Sequence, residues 1–237
     1  MAFAICNCSQ RRGRLPTIMP EASIKNANGE YIARMDADDI SEPDRLEAEL
    51  KYLREHKCQL VGSFTQNIDK NGKTMNSKIN YYPKNDKIIK KYLRYNSPLA
   101  HPTWLGDASL FKKYEYIDFD ACEDYEFLTR VALDGCKLGN VDRPLLKYRI
   151  NDSGISSNKR AKQKMSLFYI SRNYRQKRKS DFCEYAAYKD SNEGKSYLGK
   201  IESYYEMVDE MEMLRKNKKY ASIPFILVKE ILLNNIG

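Results

Sequence analysis

Short stretches in which apolar residues alternate with polar ones recur along the first two thirds of the chain. This spacing, bounded by turn residues, predicts strands. The strand candidates are "EYIARM" (30–35), "QLVGSFTQNI" (59–68), "TMNSKINYY" (74–82), "PLAHPTWL" (98–105), "KLGNV" (137–141) and "PLLKYRI" (144–150). Asn71–Gly72 between the second and third stretches predicts a hairpin turn, and Pro102 interrupts the fourth.

Apolar residues three and four positions apart predict helices between these strands. The first helix is predicted to begin at a capping arrangement of Ser41 and Asp44. Its apolar face is formed by Leu46, Leu50 and Leu53. Residues 86–95 and 123–135 predict two more helices. This alternation of strands and helices predicts an α/β domain over residues 1–156.

The sequence becomes polar, basic and helical beyond about Ser156. Residues 157–237 are therefore predicted to form a basic helical C-terminal region. It closes with the apolar stretch "IPFILVKEILL" at 223–233.

The net charge of +9 is concentrated in one segment, because nine bases and no acid lie between Lys159 and Lys179. A solvated helical face explains such a segment most simply. Phe168, Tyr169 and Tyr174 interleave with the bases, which also suits nucleic acid, although we rank that alternative lower. A third alternative is peripheral contact with an anionic membrane, with residues 223–233 in the interface.

No apolar run approaches the roughly 18 residues that span a bilayer, and the first residues lack the order of a secretory signal. The six cysteines and two histidines show no zinc-site spacing, which favours reduced thiols. We expect a cytoplasmic protein at or near the inner face of the membrane.

Asp36, Asp38 and Asp39 place three like charges within four positions, between a predicted strand and a predicted helix. A solvated loop near a helix N-terminus is one explanation. A calcium loop of the EF-hand type fails, because Ile40 and Ser41 occupy positions that need an oxygen ligand and a glycine. A divalent cation that bridges carboxylates to substrate phosphates is the third explanation.

Four segments together resemble the inverting family 2 glycosyltransferases of bacterial surface-polysaccharide pathways, which have a GT-A fold. The segments are "NANGEYIARMDADDISEPDRLEAEL", "NSPLAHPTWL", "CEDYEFLTRVALDG" and "RPLLKYRINDSGIS", and the resemblance covers about residues 23 to 156. It implies that the Asp-x-Asp motif of Asp36 and Asp38 binds Mn²⁺ or Mg²⁺ and the nucleotide-sugar diphosphate, with Asp39 nearby.

The resemblance also implies the remaining site residues. It places the catalytic base at Glu123–Asp124, with Asp124 the better candidate, and inversion needs such a carboxylate to take a proton from the acceptor hydroxyl. Substrate-binding roles are implied for Asp36, Asp39, His101 and Arg149. By contrast, Arg45 is interpreted as a helix-surface ion pair and Trp104 as a core residue.

Two departures from the family pattern bear on function. Many members carry a metal-binding histidine two residues after the Tyr-Arg pair, where this chain has Asn151. The family's opening strand, which holds the base and ribose, has no counterpart in residues 1–22, so we expect an N-terminally incomplete domain. The expected activity is metal-assisted, inverting transfer from a nucleotide-diphospho-sugar to a glycan or lipid-linked acceptor, in polysaccharide synthesis. The alternative is an inactive remnant that acts as a binding protein.

Overall fold

A computed structural model describes residues 3–8, 21–150 and 157–216. The strands in these ranges are β1 (Phe3–Cys8), β2 (Tyr31–Asp36), β3 (Ile40–Ser41), β4 (Leu60–Ile68), β5 (Thr74–Asn80), β6 (Leu105–Asp107) and β7 (Leu138–Arg149). The helices are α1 (Glu21–Lys25), α2 (Arg45–His56), α3 (Asp86–Tyr92), α4 (Ala108–Lys113), α5 (Glu123–Leu133), α6 (Ser157–Arg175), α7 (Phe182–Asp190) and α8 (Asn192–Lys216). No helix in the described ranges is both long and apolar enough to cross a membrane.

The strands form one mixed sheet in the order β1-β2-β6-β4-β7-β3, and β5 pairs with β4. β1 runs parallel to β2, and β4 runs parallel to β7, whereas β6 is antiparallel to both of its neighbours. The predicted α/β class, a mixed sheet flanked by helices, is confirmed.

The chain divides into two compact units. The first consists of Met1–Ser153 and Leu167–Ser180, and the second consists of Gly154–Ser166 and Asp181–Gly237. The first unit contains the sheet. The second contains the first part of α6 together with α7 and α8, and Ser166 of α6 shares a buried hydrogen bond of 2.6 Å with Tyr185 of α7. The division into domains 1–156 and 157–237 stays a prediction, and residues 223–233 lie outside the described ranges.

Helix α2 covers the sheet with the apolar face that the leucine spacing predicts. Leu50 and Leu53 are buried against Ala33, Val61 and Leu105, and Leu46 packs at the margin of this cluster. A second core group surrounds the fully buried Phe127 of α5, whose ring lies 5.1 to 5.7 Å from those of Tyr116, Trp104 and Phe111. Trp104 is therefore a core residue, as predicted.

Several local predictions are wrong. Residues 98–105 do not form a strand, because His101–Thr103 is a 3-10 turn and the strand β6 begins only at Leu105. Ser41 does not cap α2, because it pairs with Leu146 in β3 and the N-cap is Asp44, which makes no side-chain capping bond.

The two predicted strands at 137–141 and 144–150 are one continuous strand, β7. Residues 1–22 also hold a strand that the pattern does not indicate, since Phe3–Cys8 pairs in parallel with Tyr31–Asp36.

Candidate active site

The three aspartates lie on a tight loop where β2 ends, and Arg149 fastens this loop to the end of β7. The Asp39 N–H donates to the Asp36 carbonyl at 3.3 Å, which closes the turn. The Arg149 N–H donates to Asp39 Oδ1 at 2.9 Å, and Arg149 Nε donates to the Asp38 carbonyl at 2.7 Å. The structure thus brings together Asp36, Asp38, Asp39 and Arg149.

Arg149 also holds a second loop. Its Nη1 donates to the carbonyls of Asp69 and Lys70, at 2.8 and 3.0 Å, in the turn between β4 and β5. Because Nε and Nη1 both bind backbone oxygens, the contacts of Arg149 in this structure position two loops at the rim of the site. Its substrate-binding role stays a prediction.

Asp39 is the most buried of the three aspartates, with 7% of its surface exposed. Burial raises its pKa to about 6, and the negative charges of Asp36 and Asp38 add to the effect. Its Oδ2 has no hydrogen-bond partner among the described residues. A buried carboxylate oxygen of this kind is free to accept from a ligand or to face a cation.

Arg34 is the central cation of the site, and the sequence analysis missed it. It lies on β2 with 2% of its surface exposed. Its Nη1 donates to Asp36 Oδ2 at 3.0 Å, and its Nη2 lies 2.8 Å from Asp36 Oδ1. A signal was present, because an arginine two residues before Asp36 lies on the same face of an otherwise apolar strand.

The charge of Arg34 reaches both acidic groups of the site. It lowers the pKa of Asp36 and Asp39 on the β2 loop, and of Glu123 and Asp124 at the start of α5. Burial acts in the opposite direction on all four carboxyl groups and is the larger effect. The predicted metal loop and the predicted base therefore share the field of one buried guanidinium.

Glu123 and Asp124 begin α5, where the free N–H groups of the first helical turn favour negative charge. Burial, and then the neighbouring Asp124, raise the pKa of Glu123 to about 7. The pKa of Asp124 is also raised by burial, but the Tyr125 N–H and Arg34 oppose the shift. Of the two carboxyl groups, Asp124 has the stronger support for its ionised form.

His101 lies in the turn before β6. Its Nε2 is 3.0 Å from the Tyr116 hydroxyl, and its ring centroid is 4.5 Å from that of Trp104. Burial and the charge of Arg34 lower the pKa of His101 well below its ordinary value. The imidazole is therefore neutral at pH 7, and its predicted part in substrate binding would be that of an uncharged hydrogen-bonding group.

The interpretation of Arg45 as part of an ion pair on the helix surface is wrong, because only 2% of the surface of this residue is exposed. Its Nη1 donates to the Pro102 carbonyl at 2.8 Å, and its Nη2 donates to the Arg34 carbonyl at 3.2 Å. The side chain points into the fold because α2 begins beside the turn at His101–Thr103. Arg45 thus ties that turn to β2.

Glu49 completes this buried network. Its Oε1 accepts from the Ser63 hydroxyl at 2.9 Å, and the Ser63 N–H donates to Thr103 Oγ1 at 3.0 Å. Its Oε2 lies 3.9 Å from Arg45 Nε, too far for a hydrogen bond. Burial therefore outweighs the arginine and raises the pKa of Glu49 to about 8.

The family resemblance implies a divalent cation at this loop, and the oxygen donors present suit one. Within the described ranges, no three His, Cys, Asp or Glu side chains are grouped as a complete metal cage. Mn²⁺ and Mg²⁺ are nevertheless held by one or two carboxylates when substrate phosphates fill the other positions. Asp36 and Asp38 would supply these, and the unpartnered Asp39 Oδ2 lies on the same loop.

Part of the chain matches a described protein family. Residues 21–114, which include the aspartate loop and the turn at His101, match the family described as Glycosyl transferase family 2. The chain is 32% identical over 165 residues to the uncharacterized glycosyltransferase MJ1057 of Methanocaldococcus jannaschii, with 68% of this chain and 56% of the relative covered. It is 33% identical over 142 residues to the O-antigen biosynthesis glycosyltransferase WbnJ of Escherichia coli, with 58% and 52% covered.

The chain thus spans little more than half the length of either relative. Among solved structures it is similar to S. aureus TarS 1–349 in complex with UDP-GlcNAc, with 12% identity, a TM-score of 0.45, and 78% of this chain and 50% of that one covered. The family match and the named relatives, all described as glycosyltransferases, agree with the resemblance seen in the sequence.

Proposed function

We propose that this protein transfers a sugar, with inversion, from a nucleotide-diphospho-sugar to a glycan or lipid-linked acceptor in the synthesis of a bacterial surface polysaccharide. The observation that carries the proposal is the loop at the end of β2, where Arg34 binds the Asp36 carboxylate and Arg149 binds Asp39 and the Asp38 carbonyl. The match to glycosyl transferase family 2 and the O-antigen relative support the substrate class.

Asp124 acts as the general base. The acceptor oxygen attacks the anomeric carbon of the donor sugar from the side opposite the diphosphate, and its proton passes to the Asp124 carboxylate. The bond between the anomeric carbon and the diphosphate oxygen breaks, and the nucleoside diphosphate leaves with the electron pair. Attack from the opposite side inverts the configuration at the anomeric carbon.

The residues of the β2 loop orient the donor. Asp36 and Asp38 would hold a Mn²⁺ or Mg²⁺ ion, which offsets charge that develops on the leaving diphosphate when it is bound. Arg34 fixes the Asp36 carboxylate, and Arg149 fixes the loop backbone. His101, neutral at pH 7, contributes a hydrogen-bonding group from the neighbouring turn.

The proposed acceptor places the protein in the cytoplasm at the inner face of the membrane. The basic segment from Lys159 to Lys179 is suited to that location. Most of its bases are exposed, although Arg160 pairs with Asp209 and Lys179 pairs with Asp134.

The test measures metal-dependent release of nucleoside diphosphate from a panel of uridine-, guanosine- and thymidine-diphospho-sugars, with lipid-linked and free sugar acceptors. Asp124→Asn should lower turnover by about 10²-fold or more while donor affinity stays near its original value, because a general base acts on the transition state. Glu123→Gln is the matched control on the same helical turn. A loss from Glu123→Gln alone would move the base to Glu123, and donor binding without transfer would favour a binding protein.

A further inference from the structure

Helix α3 is held firmly in the first unit by its inner face. Ile89 and Leu93 are fully buried. The Tyr125 hydroxyl donates to the Leu93 carbonyl at 2.5 Å, and the Tyr174 hydroxyl donates to the Lys90 carbonyl at 3.1 Å. The inner side of α3 is therefore held by α5 and by the end of α6, and its outer side faces away from the core.

Three large apolar or aromatic side chains lie on that outer side. Ile88, Tyr92 and Tyr95 are exposed to 47%, 43% and 60%. They are spaced at i, i+4 and i+7, and the Tyr95 and Asn96 N–H groups both donate to the Tyr92 carbonyl, so the helical turn continues past Tyr92. The three side chains consequently form one stripe, an arrangement that is uncommon on a surface exposed only to water.

Basic side chains alternate with this stripe. Lys87, Lys91 and Arg94 are exposed beside it, and residues 87–96 contain no acid. Asp86, the acid directly before this segment in the sequence, is already hydrogen-bonded within the protein. It accepts from the Leu138 N–H and from Lys90 Nζ, both at 2.9 Å. We call the six exposed side chains between Lys87 and Tyr95 the α3 face.

A second basic element, the end of α6, packs against α3. Arg172 and Arg175 are exposed on the last turns of α6, whose Tyr174 contacts α3. Arg94 lies close enough to Tyr174 for its charge to act on that phenol. Residues 167–180 likewise contain no acid, so this segment of the first unit adds bases and no negative charge.

We propose that the α3 face docks the protein on an anionic membrane, with Ile88, Tyr92 and Tyr95 in the interface and the bases against lipid phosphates. Tyrosine is favoured at the boundary between headgroups and acyl chains, and lysine and arginine are attracted to anionic lipid. Ile88 argues against nucleic acid, since an aliphatic side chain can neither stack on a base as an aromatic ring does nor form a hydrogen bond. This docking surface lies outside the residues assigned to sugar transfer.

The test uses sedimentation of the full chain with phosphatidylcholine vesicles that contain or lack phosphatidylglycerol. Binding should require the anionic lipid and weaken with salt. Lys87→Glu with Lys91→Glu should reduce the affinity by about tenfold or more. The matched control, Lys51→Glu with Lys137→Glu, reverses two exposed lysines elsewhere in the first unit and should reduce it less.

Insertion of the stripe is tested separately by Tyr92→Trp. The native Trp104 is fully buried and gives a constant background, so a blue shift on addition of anionic vesicles reports the introduced indole. Equal binding to neutral vesicles, equal loss in both charge-reversal pairs, or a blue shift with a single-stranded oligonucleotide but not with vesicles would overturn the proposal. No donor or acceptor is present, so failure here leaves the proposed transfer reaction unaffected.

Discussion

The two terminal nitrogens of Arg34 face the two carboxylate oxygens of Asp36, with Nη1 3.0 Å from Oδ2 and Nη2 2.8 Å from Oδ1. The hydrogen bond from Nη1 and the ion-pair contact of Nη2 together fix the orientation of the carboxylate. Asp36 consequently enters the proposed metal site with its position already set by the strand that carries it.

Replacement of Arg34 by methionine should destabilise the fold, because it leaves Asp36 and the neighbouring carboxylates without their buried cation. We expect the free energy of unfolding in urea to fall by about 2 to 4 kcal/mol. Arg34→Lys keeps the charge but loses the double contact with Asp36. Its free energy of unfolding should therefore lie between those of Arg34→Met and the original chain. Equal stability of Arg34→Met and the original chain would contradict this role.

Replacement of Asp38 by asparagine tests the metal site without breaking the pair of Arg34 and Asp36. Mn²⁺ together with a nucleoside diphosphate should raise the melting temperature of the original chain, since a ligand that binds the native state stabilises it. Asp38→Asn should lose most of that shift. Asp142→Asn, an exposed aspartate paired with Lys84, is the control, and an undiminished shift in Asp38→Asn would exclude this loop.

Replacement of Glu49 by glutamine should change how stability depends on pH. The folded chain holds the Glu49 proton up to about pH 8, whereas the unfolded chain releases it near its ordinary pKa of 4.5. This carboxyl group therefore favours the folded state at low pH and costs stability as the pH rises through this window.

Urea unfolding between pH 5 and pH 8 measures how the free energy of unfolding changes with pH. This range lies between the pKa of 4.5 for the unfolded chain and the pKa of about 8 for the folded chain. The original chain should lose stability relative to Glu49→Gln as the pH rises. Glu47→Gln, an exposed residue of the same helix, should follow the original chain. Parallel curves for Glu49→Gln and the original chain would show that Glu49 is ionised at both ends of the range.

Replacement of Arg149 by alanine should weaken donor binding, because the aspartate loop and the β4–β5 turn lose their shared anchor. We expect the dissociation constant for nucleoside diphosphate with Mn²⁺ to rise by about tenfold, measured by calorimetry. Arg143→Ala on the same strand removes only an exposed pair with Asp44 and should have little effect. A similar change in both variants would contradict the anchoring role.

Replacement of Phe127 by alanine should cost about 3 to 5 kcal/mol of unfolding free energy, as expected for a fully buried aromatic side chain. Its ring stacks on those of Phe111 and Tyr116, so the cavity would lie beside two aromatic rings that cannot readily close it. Phe127→Leu should cost less. Urea unfolding measures both, and a loss near 1 kcal/mol for alanine would show that this core collapses easily.

Most of the fold could be predicted from local patterns. The hairpin at Asn71–Gly72, the apolar face of α2 and the helix from Glu123 all depend on neighbours in sequence. β7 could not be predicted as one strand, because Pro144 suggests a break. Pro144 is accommodated at the point where β7 changes register against Phe64 of β4, because the missing N–H of proline is tolerated at such an irregularity.

The site was predictable only in part, for a similar reason. The aspartates and Glu123–Asp124 form short clusters that a sequence displays directly. Arg45 does not, because its partners are carbonyls 57 and 11 residues away, and helical spacing alone places it on the surface. Likewise, nothing in the residues near His101 predicts a turn held by α2.

The two hydrogen bonds of Arg45 limit how segments of this chain can be exchanged by protein engineering. One guanidinium joins the backbone at Arg34 to that at Pro102, so the segments around positions 34, 45 and 102 cannot change independently. A chimaera that imports residues 98–106 from a homologue will keep this link between the turn at His101–Thr103 and β2 only with arginine at position 45.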